Sequence, residues 1–198
     1  MSILSIFKKI DILLDIGQTK NPVIRVRMRL LGTLIIAAVP AALANAAMSY
    51  LVRGEWLVLC LAAAPVSLGL LYALKRGAGH KRLALLFGLF MQAVFFEGLF
   101  KQHSPVSLGW IAAAPFFMTL AANAAVGAAV LAAPTFLVLV GIHRYAIAPF
   151  DPPFDFLTDL AELFSSSPGT DLFSYALLIW VLYGTGIFFN RQIGRAHV

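Results

Sequence analysis

The sequence predicts an all-α, polytopic membrane protein with six transmembrane helices and both termini in the cytoplasm. Three observations carry this expectation. Hydrophobic residues make up 61% of the 198-residue chain and charged residues only 12%, whereas soluble domains carry about 25% charge. The mean hydropathy is +0.88. The apolar residues are gathered into long runs, and Lys and Arg flank those runs, as topology anchors do. The net charge of +6 is therefore a membrane signature, and no nucleic-acid partner is expected.

The chain opens with a segment, residues 1–24, that lacks a cleavable signal pattern. Ile3, Ile6, Ile10, Leu13 and Leu14 recur near helical spacing among Lys8, Lys9, Asp11 and Asp15. This reads as a short amphipathic helix on the cytoplasmic face. Asn21-Pro22 breaks it. The expected spans are then Leu30–Tyr50, Trp56–Leu74, Leu83–Phe100, Val106–Ala122, Ala124–Ile142 and Leu172–Phe189. Each approaches the length needed to cross a hydrocarbon core of about 30 Å. Only Asn123 and its small neighbours separate the fourth from the fifth, so that turn must be tight.

Charge sets the expected orientation. Lys8, Lys9, Lys20, Arg25, Arg27, Arg29, Lys75, Arg76, Lys81, Arg82 and Arg191 fall on one side, against Arg53, Lys101 and Arg144 on the other. The positive-inside rule places the first group in the cytoplasm. Alanines crowd span one and the junction of spans four and five, where small side chains allow close helix approach. Pro40, Pro65, Pro115 and Pro134 fall in four different spans, and each frees a backbone carbonyl. Gln92, Asn45 and Asn123 are expected to hydrogen-bond between helices. Cys60 lies alone in an apolar run and reads as packing.

The candidate contacts for a ligand or signal are Glu97, Lys101, His103 and Trp110, all toward the external face. An ionisable group within a span is costly and usually faces protein or water. Glu97 can also pair with Lys101 one turn away. His103 and His143 fall on the same face, both in loops, without a recognised metal-ligand spacing. No cofactor or metal is expected, and no catalytic motif appears: there is no phosphate loop, zinc motif or nucleophile elbow. The connection from His143 to Asp171 is irregular around Pro149, Pro152 and Pro153, and a short helix is expected from Asp155 to Phe164.

Three stretches resemble the N-terminal six-helix sensor region of bacterial membrane histidine kinases, a region that also precedes diguanylate and adenylate cyclases. They are Arg25-x-Arg27-x-Arg29-Leu30 entering span one, the loop KRGAGHKR over 75–82, and Ser104-Pro105-Val106-Ser107-Leu108-Gly109-Trp110 followed by Pro115. The sequence departs from that pattern at Gln102-His103, where glycines would stand. The resemblance implies that residues 25–191 are a signal-input domain in the bacterial inner membrane, surrounded by the lipid bilayer. It also implies a homodimer through the transmembrane helices, an unknown small-molecule or membrane signal, and a cytoplasmic output domain after Arg191. A membrane transporter or exporter fragment is the alternative. The last six residues, Ile193–Val198, are encodable by ATC GGA AGA GCA CAC GTC, which resembles a sequencing adapter. Residues 192–198 are therefore expected to be an adapter-derived tail.

Overall fold

A computed structural model describes residues 12, 21–54, 56–102, 105–146 and 168–195. Their main elements are α1 (Pro22–Arg53), α2 (Val58–Lys75), α3 (His80–Gln102), α4 (Pro105–Ala121), α5 (Ala124–Ala146) and α6 (Pro168–Arg195).

The helix ends follow from local chemistry. Asn21 Oδ1 accepts the Val23 N–H at 2.9 Å and the Ile24 N–H at 3.3 Å, and Pro22 takes the first helical position, where an N–H would be orphaned anyway. α1 stops at Gly54, whose φ of 72° is left-handed and whose amide reaches the Tyr50 carbonyl at 2.9 Å. The α2–α3 connection turns at Gly77, with φ 82°. α4 and α5 are separated by Ala122 and Asn123 alone. Asn123 was expected to bond between helices; instead its Oδ1 caps α5 by accepting the Val126 N–H at 2.9 Å.

Packing follows the small residues. The buried face of α1 reads Leu31, Ile35, Ala38, Ala42, Ala46 and Ser49, a stripe with steps of three and four residues. Its alanine portion meets Cys60 and Ala63 of α2, together with Val94 of α3. At the other end of α1, Leu31 and Ile35 share a core with Leu74, Leu83, Phe87, Met118 and Val130. α4 is the hub of the bundle and packs against α1, α3, α5 and α6. The α4–α5 crossing is tight. A Cβ added at Gly127 would overlap Thr119 Oγ1 and come within 2.9 Å of the Pro115 carbonyl oxygen. Thr119 is fully buried, so neither neighbour can yield freely. Gly127→Ala is expected to cost about 1–3 kcal/mol through overpacking. The check is the thermal midpoint of the purified protein in detergent, with partial recovery in a Gly127→Ala/Thr119→Ala double variant, which removes the overlapping oxygen.

Two of the in-helix prolines share one partner. Pro115 and Pro134 cannot donate to the carbonyls four residues earlier, those of Ile111 and Val130. The buried side chain of Gln92 in α3 supplies the missing donor. Its Nε2 lies 3.0 Å from the Ile111 oxygen and 3.5 Å from the Val130 oxygen. One amide thus joins α3 to both proline-bearing helices, an interhelical role of the kind expected for Gln92.

The all-α expectation agrees with this fold; the span count does not. Among the described residues, three helices combine the length and apolarity needed to cross a membrane: α1, α2 and the His80–Leu99 part of α3. The apolar stretches Gly109–Ala121 and Ala124–Phe136 are shorter than that. α4 has 17 residues, about 26 Å at 1.5 Å per residue, against a core of roughly 30 Å. Among the described residues, the six transmembrane helices are therefore corrected to three candidate spans. The assignment of both termini to the cytoplasm rested on six crossings and loses that basis. The match to a six-helix sensor region loses its main structural support for the same reason.

His143, expected in a loop, belongs to α5. The amphipathic helix expected over Met1–Lys20 (Ile12 apart), the helix expected from Asp155 to Phe164, and His103 all lie outside the described residues.

Candidate functional site

Two arrangements place polar and aromatic side chains where chemistry or binding can occur. The first is a cavity of about 430 Å³ between α1, α3 and α4, within the roughly 300–1,000 Å³ range of ligand pockets. Its α1 wall is low because Ala37 and Ala41 bring only methyl groups to it. Phe87, Trp110 and Phe117 of α3 and α4 contribute rings. Trp110 stacks on Phe95 with centroids 5.8 Å apart and planes 8° from parallel. Ala37, Ala41 and Trp110 are also exposed, so the cavity is a cleft open along the side of the bundle.

The cleft is polar at one end only. Asn45 is its last residue on α1 and Ser107 its first on α4. They converge at Gly98 of α3. A Cβ there would lie 3.1 Å from Ser107 Oγ and 4.0 Å from Asn45 Nδ2. The Asn45 amide also donates to Cys60 Sγ at 3.7 Å. The opposite end, between Leu34 and Met118, is apolar. Among the described residues, no charged side chain lines the cleft.

The second arrangement is built on Glu97. α2 begins at Val58, and its cap residue Leu57 offers no side-chain hydrogen bond, which leaves the first N–H groups without intrahelical partners. Glu97 supplies the cap from α3. Its Oε1 accepts the Val58 N–H at 2.8 Å, and its Oε2 accepts the Leu59 N–H at 2.8 Å. A carboxylate at a helix N-terminus also gains from the helix dipole. Lys101 completes the array: its Nζ is 3.2 Å from Glu97 Oε1 and 2.9 Å from the Trp56 carbonyl oxygen. Arg53 donates to the Lys101 carbonyl oxygen at 3.3 Å, which ties in the end of α1.

The structure therefore joins Glu97 to Lys101 and directs both at the protein's own backbone. It places Trp110 separately, in the cleft wall. Asn45 and Ser107 were not anticipated as cleft residues. The available signal was the excess of alanine in α1, more than one buried stripe requires. Among the described residues, no three His, Cys, Asp or Glu side chains gather as metal ligands would.

A third contact links distant ends of the chain. Arg27 Nη2 near the start of α1 donates to Asn190 Oδ1 near the end of α6 at 2.6 Å.

Fold and cleft together define a multi-pass helical membrane protein with an apolar groove open on its side. Its outward faces carry large apolar residues such as Leu51, Leu68, Leu86 and Trp180, as lipid contact requires. No family model, curated protein or solved structure matches the chain. The resemblance to the sensor region of histidine kinases is thus overturned by the span count and has no similar protein behind it.

Proposed function

We propose that this protein is a membrane signal-input module that responds to an apolar molecule entering the α1–α3–α4 cleft. The cleft carries this reading. It is pocket-sized, it is walled by small residues opposite aromatic rings, and it opens along the side of the bundle at the exposed Ala37, Ala41 and Trp110. Occupancy would separate α1 from α4 there. Trp110 is the proposed ligand contact. Glu97 and Lys101 act indirectly, by fixing the start of α2 against α3. The Arg27–Asn190 hydrogen bond gives α1 a handle on α6, so displacement of α1 reaches the last helix. A ligand shifts such an equilibrium only through different affinities for the two packings. Here the difference is whether the cleft is open enough to hold it.

The test is a distance measurement in lipid nanodiscs. Spin labels at the exposed positions Leu51 on α1 and Phe188 on α6 report the relative placement of the two helices. Addition of dodecane is expected to shift the distance distribution, and Asn190→Ala is expected to reduce that shift. An unchanged distribution at saturating dodecane would defeat the proposal.

A further inference from the structure

We infer that the cleft selects a single-chain amphiphile with an uncharged, hydrogen-bonding head group, held with the head between Asn45 and Ser107. The inference rests on the cleft reading above and specifies its ligand. Polarity within the cleft is segregated. Asn45 and Ser107 stand at one end, and from there to Leu34 the α1 wall runs about 16 Å at 1.5 Å per residue. A molecule that matches both regions has a hydroxyl or amide at one end and a linear chain behind it. Asn45 supplies an amide donor and acceptor, and Ser107 a hydroxyl that can do either.

The charge of the head follows from what the cleft lacks. An ionised head needs a counter-charge when it leaves water, and among the described residues no charged side chain lines the cleft. The nearby cation of Lys101 is already held by Glu97 and the Trp56 carbonyl. A carboxylate or quaternary ammonium would stay at the headgroup level of the bilayer. An alkane would fill the apolar end but leave the Asn45 and Ser107 groups without a ligand partner. The open side at Ala37 and Ala41 lets a chain enter sideways from the bilayer, without passing through water.

Tryptophan quenching tests this in the full chain. With Trp56 and Trp180 replaced by Phe, Trp110 is the remaining reporter, one turn from Ser107. Brominated dodecanol, dodecane and dodecanoate are titrated into the protein in nanodiscs. The alcohol is expected to quench saturably with an affinity about tenfold above the other two, the discrimination of one well-placed polar contact. Bromine beside the hydroxyl should quench more than bromine at the chain terminus, because Trp110 lies toward the head end. Asn45→Leu and Ser107→Ala should each remove the preference for the alcohol and keep saturable binding. Ala41→Phe should abolish saturable quenching by all three. If all three bind saturably with equal affinity and Ala41→Phe removes the binding, the cleft is a site and the head-group inference is wrong. If quenching is linear and unsaturable for all three, simple partitioning explains it and both readings fail.

Discussion

Glu97→Ala is expected to lower the stability of the purified protein by about 2–4 kcal/mol, because the two charge-assisted hydrogen bonds that cap α2 are lost together. The size follows from the contacts. Both oxygens are occupied, each by a different N–H of the first turn of α2. The Glu97 side chain is only 9% exposed, so water can replace it only in part. Leu57, at the cap position, has no side chain able to take over. Glu97→Gln separates the terms. One oxygen remains to accept an N–H, while the new amide group confronts the other, so about half the loss should return. Lys101→Met removes a partner that is 42% exposed, and such pairs contribute about 0–1 kcal/mol. The order expected in thermal midpoints is wild type, then Lys101→Met, then Glu97→Gln, then Glu97→Ala. Equal midpoints for Glu97→Ala and Lys101→Met would show that the carboxylate does not hold α2.

That role also shows where sequence reading reaches its limit. Pairing of Glu97 with Lys101 is visible locally, because the two are one helical turn apart. The N–H groups that occupy the carboxylate belong to residues 38 and 39 positions away, and no periodicity announces them. Helix ends were more legible. Asn21-Pro22 and the Gly-containing turn at Gly77 signal termini through fixed backbone chemistry, and the structure uses both. The number of membrane spans was not legible, for a physical reason. Hydropathy records that a helix avoids water, without saying whether lipid or protein replaces it. α4 is apolar throughout, yet four helices surround it, and its Ile111, Ala112, Thr119 and Ala121 are fully buried. The alanines of α1 conceal a similar ambiguity: Ala38 and Ala42 are buried, while Ala37 and Ala41, one position away, are exposed at the open side of the cleft.

Gln92→Leu carries the second large effect and gives the proline pattern its meaning. Pro115 and Pro134 are fully buried, and Gln92 is 3% exposed, so the freed carbonyls have little access to water. The bond to Ile111 is the stronger at 3.0 Å; that to Val130, at 3.5 Å, is at the edge of hydrogen-bond geometry. Hydrogen bonds between membrane helices average only about 0.6 kcal/mol, because alternative partners are usually available. Here the usual helical partner is missing from both carbonyls, so the cost should reach the buried-orphan range of about 1–3 kcal/mol. Pro115→Ala restores an N–H four residues beyond Ile111 and removes the need for the amide. Gln92→Leu is therefore expected to be markedly less destabilising in a Pro115→Ala background than in the wild type. A coupling energy of about 1 kcal/mol in that double-mutant cycle would assign the amide to the carbonyl. Strict additivity would mean that Gln92 stabilises the bundle by packing alone. Gln92 Oε1 has no hydrogen-bond partner among the described residues, so its acceptor gives no reason for a polar residue at this depth. The donors provide one: a single side chain lets two proline-bearing helices pack against α3 without leaving both carbonyls bare.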